Sequence, residues 1–355
     1  MKLWKSLPFV LAITLLAACS QPSTEAPQTG TAADSSVTDS AAADTGADNA
    51  EEEASAVSDE EMYTGAAEMT GMVSIEDEAV ALAAAPPPAV VGILRPNASG
   101  TQVQKNGQAT IDYSNTGDGY VMVTCNSSGK RLKVQVAAKT TYTYDIQPGS
   151  WTTFPLSDGN GTYKVTVFEN VSGSKYATVL SASFSVSLKD EFEPFLRPNQ
   201  YVNYENAPNT VAKAAEVAGG VADPLQKVAK VYDYVVANLT YDTAKATSVQ
   251  SGYLPVLDTV LAAKKGICFD YASLMTGMLR SQGVPCKLVV GYAGTAYHAW
   301  VSVWTKETGW IDGAIFFDGT TWQRMDPTFV SSSKGSESVK QFVGNGSNYT
   351  QKFLY

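Results

Sequence analysis

Three residues of this 355-residue chain have the types and order of a nucleophilic site. They are Cys268, His298 (the only histidine) and Asp326, each about thirty residues from the next. A thiol attacks as a thiolate, and a neighbouring base makes it one. Histidine is the side chain whose ordinary pKa lies near neutrality, so a chain with one histidine has one obvious base. A carboxylate that accepts from the imidazole holds its tautomer and orientation. Taken singly, a lone histidine in a strand is usually structurally satisfied, and a cysteine in an apolar helix is usually inert. In this chain the flanking runs GICFDYASLMTGML, GTAYHAWVSVW and WQRMDPTF favour chemistry.

The elements expected around these residues suit the task. Cys268 follows Gly266-Ile267 and opens a helix expected over Cys268–Gln282. Ala272, Met275, Met278 and Leu279 lie on one face of it, and Gly283 stops it. At a helix start, free N–H groups and the positive end of the dipole favour a thiolate and can donate to a developing oxyanion. His298 opens the strand HAWVSVW, and Asp326 closes the strand TWQRMDP. Adjacent strands would set the two side by side. Asp312, in GWIDG, is the rival orienter. Tyr241 and Tyr253 precede the cysteine and are either a further oxyanion donor or ordinary packing.

Residues 190–355 read as α+β. A short helix over Thr210–Val217 ends at Gly219-Gly220. Asp223-Pro224 then reads as a cap with proline in first position, followed by Leu225, Val228, Val231, Tyr232, Val235 and Leu239 at helical spacing. A third helix is expected from Leu254 to Lys264. Strands KLVVGY, HAWVSVW and TWQRMDP follow, so helices precede a small antiparallel sheet. Residues 90–187 read as β. Runs such as VMVTC, RLKVQVAA, TYTYDI and GTYKVTVFEN, separated by turn clusters, suggest an antiparallel sandwich that acts as platform or as binding module.

The start of the chain reads as a targeting segment. Lys2 and Lys5 precede an apolar run, Leu7–Ala18, too short to span a bilayer. It ends in Leu16-Ala17-Ala18-Cys19, a bacterial lipobox pattern, so residues 1–19 are expected to be a lipoprotein signal with Cys19 as the lipid attachment site. Residues 20–89 are expected to be a disordered acidic tether. Between 20 and 88 there are fifteen Asp or Glu and no Lys or Arg. That segment accounts for the charge: the chain is 25 − 35 = −10, and without these residues 25 − 20 = +5, two of which are Lys2 and Lys5. No basic stripe of the kind nucleic acid requires is present. Cys125 and Cys286 read as unpaired buried thiols, the alternative being a disulfide joining the two folded regions.

Residues 254–329 resemble the core of the transglutaminase-like superfamily of papain-fold cysteine enzymes. The blocks that carry the likeness are Gly266-Ile267-Cys268, Arg280 to Pro285, Gly291-Tyr292, His298-Ala299-Trp300, Trp310 and Asp326-Pro327-Thr328. The resemblance implies a nucleophile at Cys268, a base at His298 and an orienting aspartate at Asp326. The whole chain is similar to exported Firmicutes proteins with a transglutaminase-like domain. One departure is a stretch from Asp312-Gly313 to Asp318-Gly319, which looks like a hairpin insertion and keeps Asp312 in play. The expected protein is a lipid-anchored extracellular cysteine enzyme. It would cleave or transamidate peptide or isopeptide bonds of an envelope peptide or protein, without cofactor or metal. The alternative from another class is a non-catalytic surface-binding or adhesion protein that keeps the fold.

Overall fold

The computed structural model describes residues 92–127, 129–305, 309–311, 314–317, 322–325 and 349–355. Residues 92–186 begin with an irregular stretch and then form eight strands. They are β1 (Val103–Lys105), β2 (Ala109–Asp112), β3 (Tyr120–Cys125), β4 (Leu132–Ala137), β5 (Thr141–Ile146), β6 (Thr152–Pro155), β7 (Gly161–Ser172) and β8 (Lys175–Val186). They make two antiparallel sheets, ordered β1-β2-β3-β6 and β5-β4-β7-β8. Alternation decides the faces. Leu132, Val134 and Val136 of β4 are buried in the same core as Ile111, Val121 and Val123 of the other sheet.

Residues beyond 207 supply α1 (Pro208–Ala218), α2 (Pro224–Asn238), β9 (Thr240–Tyr241), α3 (Thr243–Ser248), α4 (Leu257–Ala263), β10 (Lys265–Gly266) and α5 (Cys268–Ser281). Asp223 caps α2 by accepting from Leu225 N at 3.0 Å, with Pro224 in first position. The helix expected from Leu254 starts at Leu257. Pro255 keeps Leu254 out of helical backbone, and Val256 is extended at φ −105°, ψ 100°. Then come β11 (Cys286–Ala293), β12 (Ala296–Thr305), β13 (Gly309–Ile311), β14 (Ala314–Phe317), β15 (Trp322–Met325) and β16 (Tyr349–Leu354). One antiparallel sheet has the order β13-β12-β11-β16, and β14 pairs with β15. Among the described residues, no helix is long and apolar enough to cross a membrane.

Helix α5 is the centre of this region. From Asp270 to Ser281 every residue is buried. Helices α1, α2 and α4 pack on it, as do β11 and β12. A helix apolar or buried all round needs covering on all sides. Part of the cover comes from the β-rich region through a cluster of rings. Tyr144 lies 5.7 Å from Tyr201, and Tyr201 lies 4.5 Å from Tyr355 and 5.5 Å from Phe269, the residue after Cys268. The two regions therefore share one continuous hydrophobic core.

Arg280 sits fully buried near the C-terminal end of α5. Its guanidinium donates to the carbonyls of Cys286 (2.9 and 2.7 Å), Arg197 (2.8 Å) and Tyr355 (2.6 Å). Burial lowers its pKa to about 10. Cations suit this end of a helix, and the planar fork reaches carbonyls that a lysine cannot serve together. Replacing it as Arg280→Lys is expected to cost about 2–4 kcal/mol, because buried acceptors lose partners while the charge stays. Urea unfolding of the variant measures this; a loss under about 0.5 kcal/mol would show that the carbonyls do not depend on the fork.

Candidate active site

The approach to Cys268 is fixed by backbone pairing. Helix α4 ends at Ala263 and is capped by Lys264, whose left-handed backbone (φ 51°) turns the chain into β10. That conformation is unusual outside glycine and is held by its surroundings. Strand β10 pairs in parallel with β9: Thr240 N donates to Lys264 O at 3.0 Å, and Asp242 N donates to Gly266 O at 2.9 Å. Ile267, extended at φ −92°, ψ 175°, then gives way to Cys268 at the first helical position. Cys268 is half-buried, unlike the two other described cysteines.

Beneath this turn lies a group that sequence reasoning missed. Asp270 is fully buried. Its Oδ2 accepts from the backbone N of Ile267 at 2.8 Å and from Lys245 Nζ at 2.6 Å. Its Oδ1 accepts from the Tyr253 hydroxyl at 2.5 Å, and Lys245 Nζ also donates to that hydroxyl at 2.6 Å. The Tyr253 proton is therefore committed to Asp270. Burial, and then the bond to this carboxylate, raise the Tyr253 pKa above its ordinary value. Gly266 leaves the space that Asp270 occupies: a Cβ there would lie 2.6 Å from Asp270 Cβ. Tyr241 stands in register with Gly266 across the β9–β10 pair. The sequence signal for the cluster is slight: a carboxylate in the first turn of an otherwise apolar helix.

His298 is buried in β12, on the strand against which α5 packs. The helix carrying Cys268 thus lies against the strand carrying His298. Along β12, Ala299, Val301 and Val303 belong to the main core, while His298, Trp300, Ser302 and Trp304 alternate with them and are also buried. The His298 ring stacks on Trp300, with centroids 6.3 Å apart and planes 21° apart. Trp300 meets Tyr349 of β16 edge-on at 5.1 Å. Gly291 pairs with His298 in register. A Cβ on Gly291 would lie 2.1 Å from Thr350 O and 2.9 Å from the Trp300 ring, so only glycine lets β16 and Trp300 close over this position.

Asp326, the rival Asp312, Cys19 and the tether over 20–89 lie outside the described residues. Cys125 and Cys286 are buried and unpaired. Burial raises the Cys125 thiol to about 11 and the Cys286 thiol to about 12. Among the described residues, no group of three or more His, Cys, Asp or Glu could hold a metal ion.

Residues 211–327 match the profile of the Transglutaminase-like superfamily. The chain carries a transglutaminase-like domain. The matched span includes Cys268, His298 and Asp326. Curated relatives include the uncharacterized protein YebA of Bacillus subtilis, 31% identical over 104 residues, covering 24% of this chain and 14% of that protein. Another is a protein-glutamine gamma-glutamyltransferase of Pseudomonas aeruginosa, 27% identical over 107 residues, covering 26% of this chain and 14% of that protein. The matches thus span 14% of the length of both these relatives. Among solved structures, the periplasmic domain of TgpA from Pseudomonas aeruginosa is 17% identical, covers 67% of this chain and 99% of that chain, and has a TM-score of 0.31. Red sea bream transglutaminase is 13% identical, covers 63% of this chain and 53% of that chain, and has a TM-score of 0.26.

The contrast between the three described thiols gives a direct expectation. In the folded protein at pH 8, brief iodoacetamide treatment should modify Cys268 and leave Cys125 and Cys286 unmodified; all three should react in urea. Peptide mapping reads the result. Modification of Cys125 or Cys286 at the rate of Cys268 would contradict the burial that raises their pKa.

Proposed function

We propose that this protein is a cysteine acyl-transfer enzyme held at the outer face of a bacterial membrane by a lipid on Cys19. The observation that carries the reading is Cys268: a half-buried thiol at the first position of a buried helix, inside the span that matches the transglutaminase-like superfamily. In this reading the Cys268 thiolate attacks an amide carbonyl. The carbonyl oxygen takes the negative charge and is met by N–H groups at the start of α5. His298, protonated on receiving the thiol proton, returns it to the leaving amine, and an acyl-enzyme remains. Asp326 holds the imidazole in the productive tautomer. Attack by water on the thioester gives hydrolysis, and attack by a second amine gives transamidation. The substrate class is a peptide or isopeptide bond of the cell envelope. No cofactor is required by these steps.

With envelope-derived peptides as substrates, Cys268→Ala and His298→Ala should abolish turnover. Asp326→Asn should lower kcat by about a hundredfold or more with little change in KM, while Asp312→Asn should have a much smaller effect. Mass spectrometry of the intact protein during turnover should show an adduct on Cys268. Undiminished turnover by Cys268→Ala ends the proposal; a larger loss for Asp312→Asn moves the orienting role to Asp312.

The anchor is tested separately. Cys19→Ala should shift the protein from the membrane fraction to the soluble exported fraction. Retention of the variant in the membrane fraction counts against lipidation at Cys19.

A further inference from the structure

We propose that Lys245 and Asp270 form a paired positioning device for Cys268. The buried carboxylate holds the peptide that leads into the thiol, and the lysine cancels the negative charge that would otherwise oppose a thiolate. The proposal rests on Cys268 being the reactive thiol.

The carboxylate of Asp270 has no exposure, whereas the Lys245 side chain keeps 27% of its surface in solvent. The lysine therefore reaches inward from the surface to a charge that water does not touch. Asp270 acts on its own helix in two opposed ways. By accepting from Ile267 N, it fixes the Gly266–Ile267 peptide, one residue ahead of Cys268. As an anion within the same helical turn as the thiol, it also disfavours a second anion there, and exclusion of water strengthens that repulsion. A capping carboxylate alone needs no lysine: exposed acidic residues at this position satisfy the same backbone donors. The lysine is nevertheless built in. It stands in the first turn of α3, where Asp242 Oδ1 accepts from its backbone N at 3.0 Å. Asp242 in turn pairs with Lys265 Nζ at 3.1 Å and donates its own N–H to Gly266 O. The segment from Asp242 to Tyr253 is thus clamped onto residues 264–270 at both its backbone and its side chains.

The charged and titratable groups set against Asp270 among the described residues are few. Lys245 comes from α3 and Tyr253 from the loop after it. Cys268 shares the first turn of α5, Lys265 is engaged by Asp242, and His298 lies on β12, which packs on the same helix. Lys245 is the one cation of this set bonded to Asp270.

The test is the rate of Cys268 alkylation by iodoacetamide as a function of pH. It is measured on the intact chain by peptide mapping, for wild type, Lys245→Met, Lys245→Arg, Asp270→Asn, the Met/Asn double variant and His298→Ala. Lys245→Met should raise the midpoint by about one pH unit, so that the rate at pH 7 falls about tenfold. Lys245→Arg should behave as wild type. Asp270→Asn should leave the midpoint at or below that of wild type, and the double variant should return to within about threefold of the wild-type rate. A pair that merely packs predicts otherwise: Met and Asn would shift the midpoint in the same direction, and the double variant would be no better than Lys245→Met. Either result overturns the proposal. Should Lys245→Met fail to fold, Asp270→Asn and Lys245→Arg decide it, an upward shift in either being the overturning outcome. Failure of the acyl-transfer reading looks different. It appears as absent turnover and a Cys268 rate indifferent to His298→Ala, while the opposite signs at Lys245 and Asp270 persist.

Discussion

Helix α5 has no solvent face between Asp270 and Ser281, and much of the surrounding structure is the set of surfaces that cover it. Burying a helix on all sides removes a large apolar area from water, but it also strands whatever polar groups the helix carries. This helix carries a carboxylate at its start and a guanidinium at its end. Both sit where the helix dipole favours their sign, and both are answered by several hydrogen bonds. Cys268 and Phe269, partly buried at its first two positions, are where this buried rod reaches solvent.

The β-rich region belongs to the same physical problem. Its tyrosines, Tyr142 and Tyr144, meet Tyr355 at 5.7 and 5.9 Å, and Tyr201 joins that cluster to Phe269. The loop before Tyr253 also touches this region: at Gly252 a side chain would stand 3.3 Å from the Asp145 carboxylate of β5. The sandwich therefore supports both the ring beside the thiol and the loop that brings Tyr253 to Asp270. What it brings to the neighbourhood of Cys268 among the described residues is a set of aromatic rings.

Local chemistry makes much of this legible in the sequence. Asp223-Pro224 announces a capped helix, the 3.6-residue period of its apolar positions carries it to Asn238, and Cys268 after Gly266-Ile267 reads as a helix start. What stays hidden depends on distant partners. Asp270 looks like an ordinary acidic residue in a first turn; its burial is decided by Tyr253 and Lys245, which precede it by 17 and 25 residues. Helix α3 has six residues and no buried side chain, so no period marks it. Strand β16, YTQKFL, has three exposed polar residues at its centre, and its place is set by backbone pairing with the edge of β11. Asp326 illustrates the opposite case: the resemblance of its Asp-Pro-Thr run to the transglutaminase-like superfamily singles it out, and it lies outside the described residues.

The pairing of the chain's last residues with β11 has a kinetic meaning. Leu288 and Tyr355 exchange both backbone hydrogen bonds at 2.9 Å, and the Tyr355 carbonyl also receives the Arg280 guanidinium. The sheet beneath α5 thus closes with residues roughly seventy positions downstream of the helix it serves, and contacts of such long range are slow to form. During synthesis, the helix bearing the thiol leaves the ribosome well before the strand that completes its cover. Until β16 has emerged, the chain holds an unpaired β11 edge and an Arg280 guanidinium that lacks one of its carbonyl acceptors, a state more open to aggregation and to recognition by chaperones.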